Sequence, residues 1–121
     1  MTVLILDDSS VMRLVLRKTL RNSNVGVSAT IEAGSGAEAL EVLRTHSVDL
    51  ILCDWSMPGM SGREFLDRAG KEAGLMPRVL IVTAQEGPEV RQVATALPRC
   101  GVVRKPFTAD SIGFAVQEVM A

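Results

Sequence analysis

Hydrophobic positions along this chain follow two rhythms in alternation, short runs that are apolar at consecutive or alternate positions and longer stretches that are apolar every third or fourth residue. The runs Val3–Leu6, Val25–Ala33, Leu50–Cys53, Val79–Val82 and Val102–Val103 predict five strands. The first, third and fourth are apolar at every position, as expected of parallel strands covered on both faces. The second alternates and the fifth is very short, so both are expected at sheet edges. Between them, Met12, Val15, Leu16, Thr19 and Leu20 share one helical face, with Ser9 or Ser10 as its N-cap. Ala37, Leu40 and Leu43 predict a second helix behind Ser35, with Glu38 placed for a capping box. A short third helix surrounds Phe65, Leu66 and Ala69. Val90, Val93, Ala94 and Leu97 give a fourth, opened by Pro88 and closed by Pro98, and Ala109, Ile112, Val116 and Val119 give a fifth.

Five strand–helix units predict a doubly wound α/β architecture, (βα)5, in three layers. With right-handed crossovers and the second and fifth strands at the edges, the simplest sheet order is 2-1-3-4-5. In that order the chain reverses direction between the first and third strands. A crevice opens at their carboxyl ends, where ligands bind in such sheets.

Length limits the chain to one such unit, since 121 residues and 13.0 kDa suit a single domain, 1–121. Thirteen basic residues against fourteen acidic ones remove the basic footprint of a nucleic-acid or membrane-surface binder. Neither a membrane span nor a signal peptide is expected, and Cys53 and Cys100 read as core thiols of a reduced, cytoplasmic protein.

Chemistry enters at the strand ends. Asp7 and Asp8 follow the first strand, Asp54 the third, Thr83 ends the fourth and Lys105 follows the fifth. Singly, an Asp here is an N-cap, a Thr a turn former and a Lys a solvated charge. Together, three carboxylates at one sheet edge repel one another unless a cation lies between them. Hard oxygens without His or thiolate favour Mg²⁺, Mn²⁺ or Ca²⁺ over zinc, and few ligands beside a Lys favour Mg²⁺ sharing a phosphate oxygen.

Leu6-Asp7-Asp8-Ser9, the segment Asp54-Trp55-Ser56-Met57-Pro58-Gly59-Met60-Ser61-Gly62, Val82-Thr83-Ala84 and Arg104-Lys105-Pro106-Phe107 occur in that order and spacing. Together they resemble the receiver domain of two-component response regulators, along the whole chain. The resemblance implies a flavodoxin-like sheet and, at Asp54, a nucleophile that takes a phosphoryl group from the phosphohistidine of a sensor histidine kinase. It further implies that Mg²⁺, or Mn²⁺ in its place, is held by Asp7, Asp8, Asp54 and the Trp55 carbonyl. Lys105 and Thr83 would engage the phosphoryl oxygens, with Lys105-Pro106 as a cis peptide. Ser56 and Gln85 would tune the lifetime of the acyl phosphate.

Output in the family is a shift between two conformations, read by a partner at the fourth helix, fifth strand and fifth helix, in a monomer or a phosphorylation-dependent dimer. The switch positions are Thr83 and Val102. At Val102 the family commonly carries Tyr or Phe, so the aromatic half of the coupling is missing here. With no output domain after the last helix, the expectation is a stand-alone regulator that acts by binding a target protein. The opening D-D-S-x-x-M-R, Asp7 to Arg13, is similar to that of chemotaxis-type members. Two further readings stand beside this one: a relay passing phosphate to a histidine phosphotransfer protein, and a small Mg²⁺-dependent aspartyl-phosphate phosphatase. The phosphatase needs a general acid where Ser56 stands. A flavin-binding relative is disfavoured because Asp7 and Asp8 would repel its phosphate.

Overall fold

The computed structural model describes residues 1–72, 76–84 and 87–121. In chain order the elements are β1 (Thr2–Leu6), α1 (Ser10–Asn22), β2 (Ala29–Ala33), α2 (Gly36–Thr45) and β3 (Leu50–Asp54), then α3 (Gly62–Glu72), β4 (Arg78–Thr83), α4 (Pro88–Ala96), β5 (Cys100–Arg104) and α5 (Ala109–Met120). All strands pair in parallel in one sheet ordered β2-β1-β3-β4-β5, so the expected order and both edge strands are observed.

Alternation along the three inner strands explains why they are apolar throughout. Leu4, Leu6, Ile51, Cys53, Val79 and Ile81 pack on one face with Leu40, Phe65, Leu66 and Val90 from α2, α3 and α4. Val3, Ile5, Leu50, Leu52, Leu80 and Val82 pack on the other with Leu16, Leu20, Ile112 and Val116 from α1 and α5. Each fully buried aliphatic side chain contributes on the order of 1.5–3 kcal/mol of transfer free energy, so both faces are held firmly. The carboxyl ends of the strands are therefore fixed relative to one another.

Several local expectations are corrected. Strand β2 begins at Ala29, not Val25. Asn24 and Gly26 have positive φ values of 55° and 80°, so the chain turns there before pairing begins. Pairing with β4 extends β5 to Cys100–Arg104, beyond its two apolar residues. Helix α3 runs for 11 residues and is not short. On α1 the buried stripe is narrower than predicted, with Leu16 and Leu20 inside and Val15 at 41% exposure.

The caps follow the sequence closely. Ser9 is the N-cap of α1 and accepts the Met12 N–H. Ser35 accepts the Glu38 N–H, but Glu38 accepts from Gly34 rather than from the N-cap itself, so the expected box closes one residue early. Pro88 opens α4, and Leu97, whose N–H bonds to Val93 O, closes it before Pro98.

Candidate functional site

The sheet delivers four strand ends to one edge. Beyond β1, the Asp7 N–H donates to Ala33 O at 3.2 Å, and Asp7 Oδ1 accepts the Ser9 N–H at 2.9 Å. Because Ser9 is the N-cap, the two aspartates before it are released from capping. Asp54 is the last residue of β3, opposite Val82, and Thr83 is the next residue along β4. Lys105 follows β5, its N–H donating to Thr83 O at 2.8 Å, and the Lys105–Pro106 peptide is cis as expected.

These ends bring the predicted acids together. Carboxylate oxygens of Asp7, Asp8 and Asp54 lie within 4.8 Å of one another. At an effective dielectric of about 20, each such pair repels, when both are ionised, by about 3.5 kcal/mol or more. Asp7 and Asp54 are 2% and 6% exposed, whereas Asp8 lies open to solvent. The Lys105 ammonium sits 3.3 Å from Asp54 Oδ1 and 4.0 Å from Asp7 Oδ2.

Burial raises the Asp54 pKa above its ordinary value, opposed by the charge and hydrogen bond of Lys105 and by the Ser56 N–H. Burial likewise raises Asp7, against the Ser9 N–H, and the neighbouring Asp54 charge raises it further. Among the described residues, Asp7 Oδ2 is buried without a hydrogen-bond partner, and Lys105 Nζ stands 4.0 Å from it. An orphaned, buried carboxylate oxygen within a like-charge cluster is a poor structural element and a good ligand for a hard cation. The residues present therefore fit a divalent ion bound through oxygen.

Most other predicted positions have a defined place. Thr83 is buried, and Ser56 is exposed beside Asp54. The Trp55 carbonyl accepts the Gly62 N–H at 3.1 Å, which leaves one lone pair for an ion. Val102, on β5, pairs with Ile81 of β4 and is 38% exposed, and Gln85 lies outside the described residues.

Two residues that the sequence reading named only as parts of motifs have a structural place at the site. A Cβ at Gly62 would lie 2.7 Å from Asp54 O and 3.0 Å from Trp55 Cα, so only glycine lets the loop fold back onto the end of β3. The spacing from Asp54 to Gly62 carried that signal. The other is Arg13, whose Nη1 donates to the Asp7 carbonyl at 2.6 Å. Its only signal was its place in the opening motif.

The family model of the response regulator receiver domain matches residues 3–117. This chain belongs to that family. Several curated relatives at 35–38% identity carry chemotaxis names. The chain is 36% identical over 121 residues to the chemotaxis protein CheY of Pseudomonas aeruginosa, covering 98% of this chain and 95% of that one. It is 38% identical over 114 residues to CheY-3 of Vibrio cholerae, covering 93% and 85%. Among solved structures, CheY4 of Vibrio cholerae matches with a TM-score of 0.84 at 28% identity, over 98% of this chain and 97% of that chain. The chain is thus a CheY-like signalling receiver with a flavodoxin-like fold, of the two-component type. No helix among the described residues is long and apolar enough to cross a membrane.

Proposed function

We propose that the receiver accepts a phosphoryl group on Asp54 from the phosphohistidine of a sensor histidine kinase, and that this group controls the binding of a partner protein. The observation that carries the reading is the Asp54 carboxylate itself, buried at a strand end with Lys105 Nζ at 3.3 Å and two further aspartates beside it. In the transfer an Asp54 carboxylate oxygen bonds to phosphorus while the bond from phosphorus to the imidazole nitrogen breaks, the nitrogen keeping that electron pair and taking a proton from solvent so that neutral imidazole leaves. Lys105 stays within reach of Asp54 Oδ1 and places a positive charge where phosphoryl oxygens arrive. The Thr83 hydroxyl is assigned to those oxygens once the group is bound.

Asp7, Asp8 and Asp54, with the remaining lone pair of the Trp55 carbonyl, would hold Mg²⁺, and Mn²⁺ shares the same ligand chemistry. Bound there, the ion supplies neutralisation of the crowded negative charge. Water attacks the same phosphorus to return the carboxylate and release inorganic phosphate, past the small Ser56 side chain.

The partner is assigned to α4, β5 and α5, moved by the shift of Thr83. Chemotaxis-type control is supported by the names of the curated relatives and by the span of each that this chain matches. That span also supports a single domain, 1–121. A cytoplasmic site is supported by the free thiols of Cys53 and Cys100, the latter pushed up to about 11 by burial and so protonated at neutral pH. The half-exposed Val102, too small to act as a rotating aromatic latch, favours a second reading in which the phosphoryl group moves on to a histidine phosphotransfer protein. Transfer of label to such a protein separates the two.

Intact-mass analysis tests the shared step. Treatment with a small phosphodonor and Mg²⁺ is expected to add ~80 Da to the wild type and nothing to Asp54→Asn. An equal adduct on Asp54→Asn overturns the assignment.

A further inference from the structure

Every polar group of Asp7 except one is occupied. Its N–H donates to Ala33 O, its carbonyl accepts from Arg13 Nη1 and its Oδ1 accepts from the Ser9 N–H, leaving Oδ2, 4.0 Å from Lys105 Nζ, without a hydrogen bond among the described residues. The carbonyl contact is the unusual one, because a guanidinium from the first turns of α1 reaches back six residues to the turn that precedes its own helix. Arg13 is itself held: its Nε donates to Glu32 Oε1 at 3.0 Å, and Glu32 Oε2 accepts from Arg17 Nη1 at 3.1 Å. The Arg13 side chain is only 18% exposed. A Cβ at Gly34 would stand 3.2 Å from Arg13 Nη1, a close approach that glycine avoids.

The target of the fork separates two roles. A cation placed to neutralise the site would face the carboxylates, as Lys105 does. Arg13 faces the backbone, its Nη1 donating to the Asp7 carbonyl and not to a site carboxylate. What Arg13 fixes is the orientation of the Asp7 peptide, and through it the direction of the side chain.

We propose that Arg13 is a positioning residue for metal binding: oriented by Glu32 and Arg17, it holds the β1–α1 turn so that Asp7 Oδ2 stays with the carboxylates of Asp8 and Asp54. This deepens the Mg²⁺ reading above and rests on it. Mg²⁺ demands near-ideal octahedral geometry, whereas Ca²⁺ accepts variable ligand positions. A loss of positioning therefore costs Mg²⁺ more than Ca²⁺, and a loss of folding or of charge costs both alike.

Cation titrations of the full chain, read by Trp55 fluorescence beside Asp54, test this. In Arg13→Met and Arg13→Lys the Mg²⁺ affinity is expected to fall about 10-fold, as for outer groups that orient metal ligands, and the Ca²⁺ affinity by less than about 3-fold. Lysine does not rescue, because its single nitrogen cannot reproduce the two fork positions that serve Asp7 and Glu32. Glu32→Ala, which leaves Arg13 in place but unoriented, is expected to show a smaller loss with the same preference. Wild-type Mg²⁺ affinity in Arg13→Lys, or equal losses for both cations, overturns the proposal. If the wild type itself gives no Mg²⁺ response, it is the underlying metal reading that fails.

Discussion

Each end of the sheet carries an aspartate at the boundary of a strand, and the two are built in opposite ways. At the amino end, Asp49 precedes β3, is exposed, and its Oδ2 accepts the Thr2 N–H at 2.8 Å. Its own N–H donates to Thr2 O and its carbonyl accepts from Arg78, so every part of it joins neighbouring strands. At the carboxyl end, Asp7 follows β1, is buried, and leaves Oδ2 beside like charges with no hydrogen bond among the described residues and only Lys105 Nζ, 4.0 Å away, to offset them. A satisfied carboxylate stabilises the fold, whereas a buried, unsatisfied one costs about 1–3 kcal/mol or more. The amino end serves the sheet, and the carboxyl end is held at the sheet's expense for a ligand.

Removing the cation at the carboxyl end should have the largest effect. Lys105→Met leaves the three carboxylates intact but strips the charge 3.3 Å from Asp54 Oδ1. Phosphorylation by a small donor, followed by the mass adduct, is expected to slow about 100-fold, in line with removal of one preorganised charge donor. The Mg²⁺ response of Trp55 persists. A rate within a few-fold of wild type would assign the charge compensation elsewhere.

Asp7→Asn sharpens the contrast by trading function for stability. It is expected to abolish the Mg²⁺ response and to raise the stability of the metal-free protein at neutral pH by about 1–2 kcal/mol, measured by urea unfolding. The pH dependence follows from the direction of the shifts. Burial raises the folded pKa of both Asp7 and Asp54. Between the unfolded value of about 3.9 and those raised values the folded state binds more protons, so stability is highest below the unfolded value and falls as pH rises through the folded one. Metal-free wild type is therefore expected to lose stability from pH ~4 toward neutrality, and saturating Mg²⁺ to restore it by mass action. In Asp7→Asn the slope flattens, and an unchanged slope would count against Asp7 as a strained group.

What was legible in the chain divides along the same line. The sheet order could be read because β1, β3 and β4 are apolar on both faces and β2 is not, a consequence of helices covering each side. The acids could be read because strand ends converge by topology, so Asp7, Asp54, Thr83 and Lys105 needed only their positions in sequence. Boundaries were less visible. The apolar alternation at Val25 and Val27 continues past Asn24 and Gly26, where the backbone turns, and the pairing of Cys100 and Arg104 comes from β4, not from their own hydrophobicity. The Arg13 clamp was hidden because its acceptor is a backbone carbonyl, which leaves no mark on the sequence, and its orienting partner Glu32 lies 19 residues away.

The smallest expected effect tests the amino end. In Asp49→Ala the Thr2 N–H loses its side-chain acceptor, but the group is exposed and water replaces the lost bond. The cost is expected near 0.5–1 kcal/mol, a fall in melting temperature of about 2–6 °C for a domain of this size. Mg²⁺ binding and phosphorylation should be unchanged, because nothing at Asp49 reaches the carboxyl edge except through a core packed on both faces of β1 and β3. A shift in Mg²⁺ affinity in this variant would mean that the register between β1 and β3, set in part by the bonds between Thr2 and Asp49, governs the spacing of Asp7 and Asp54. The two ends of the sheet would then act as one device.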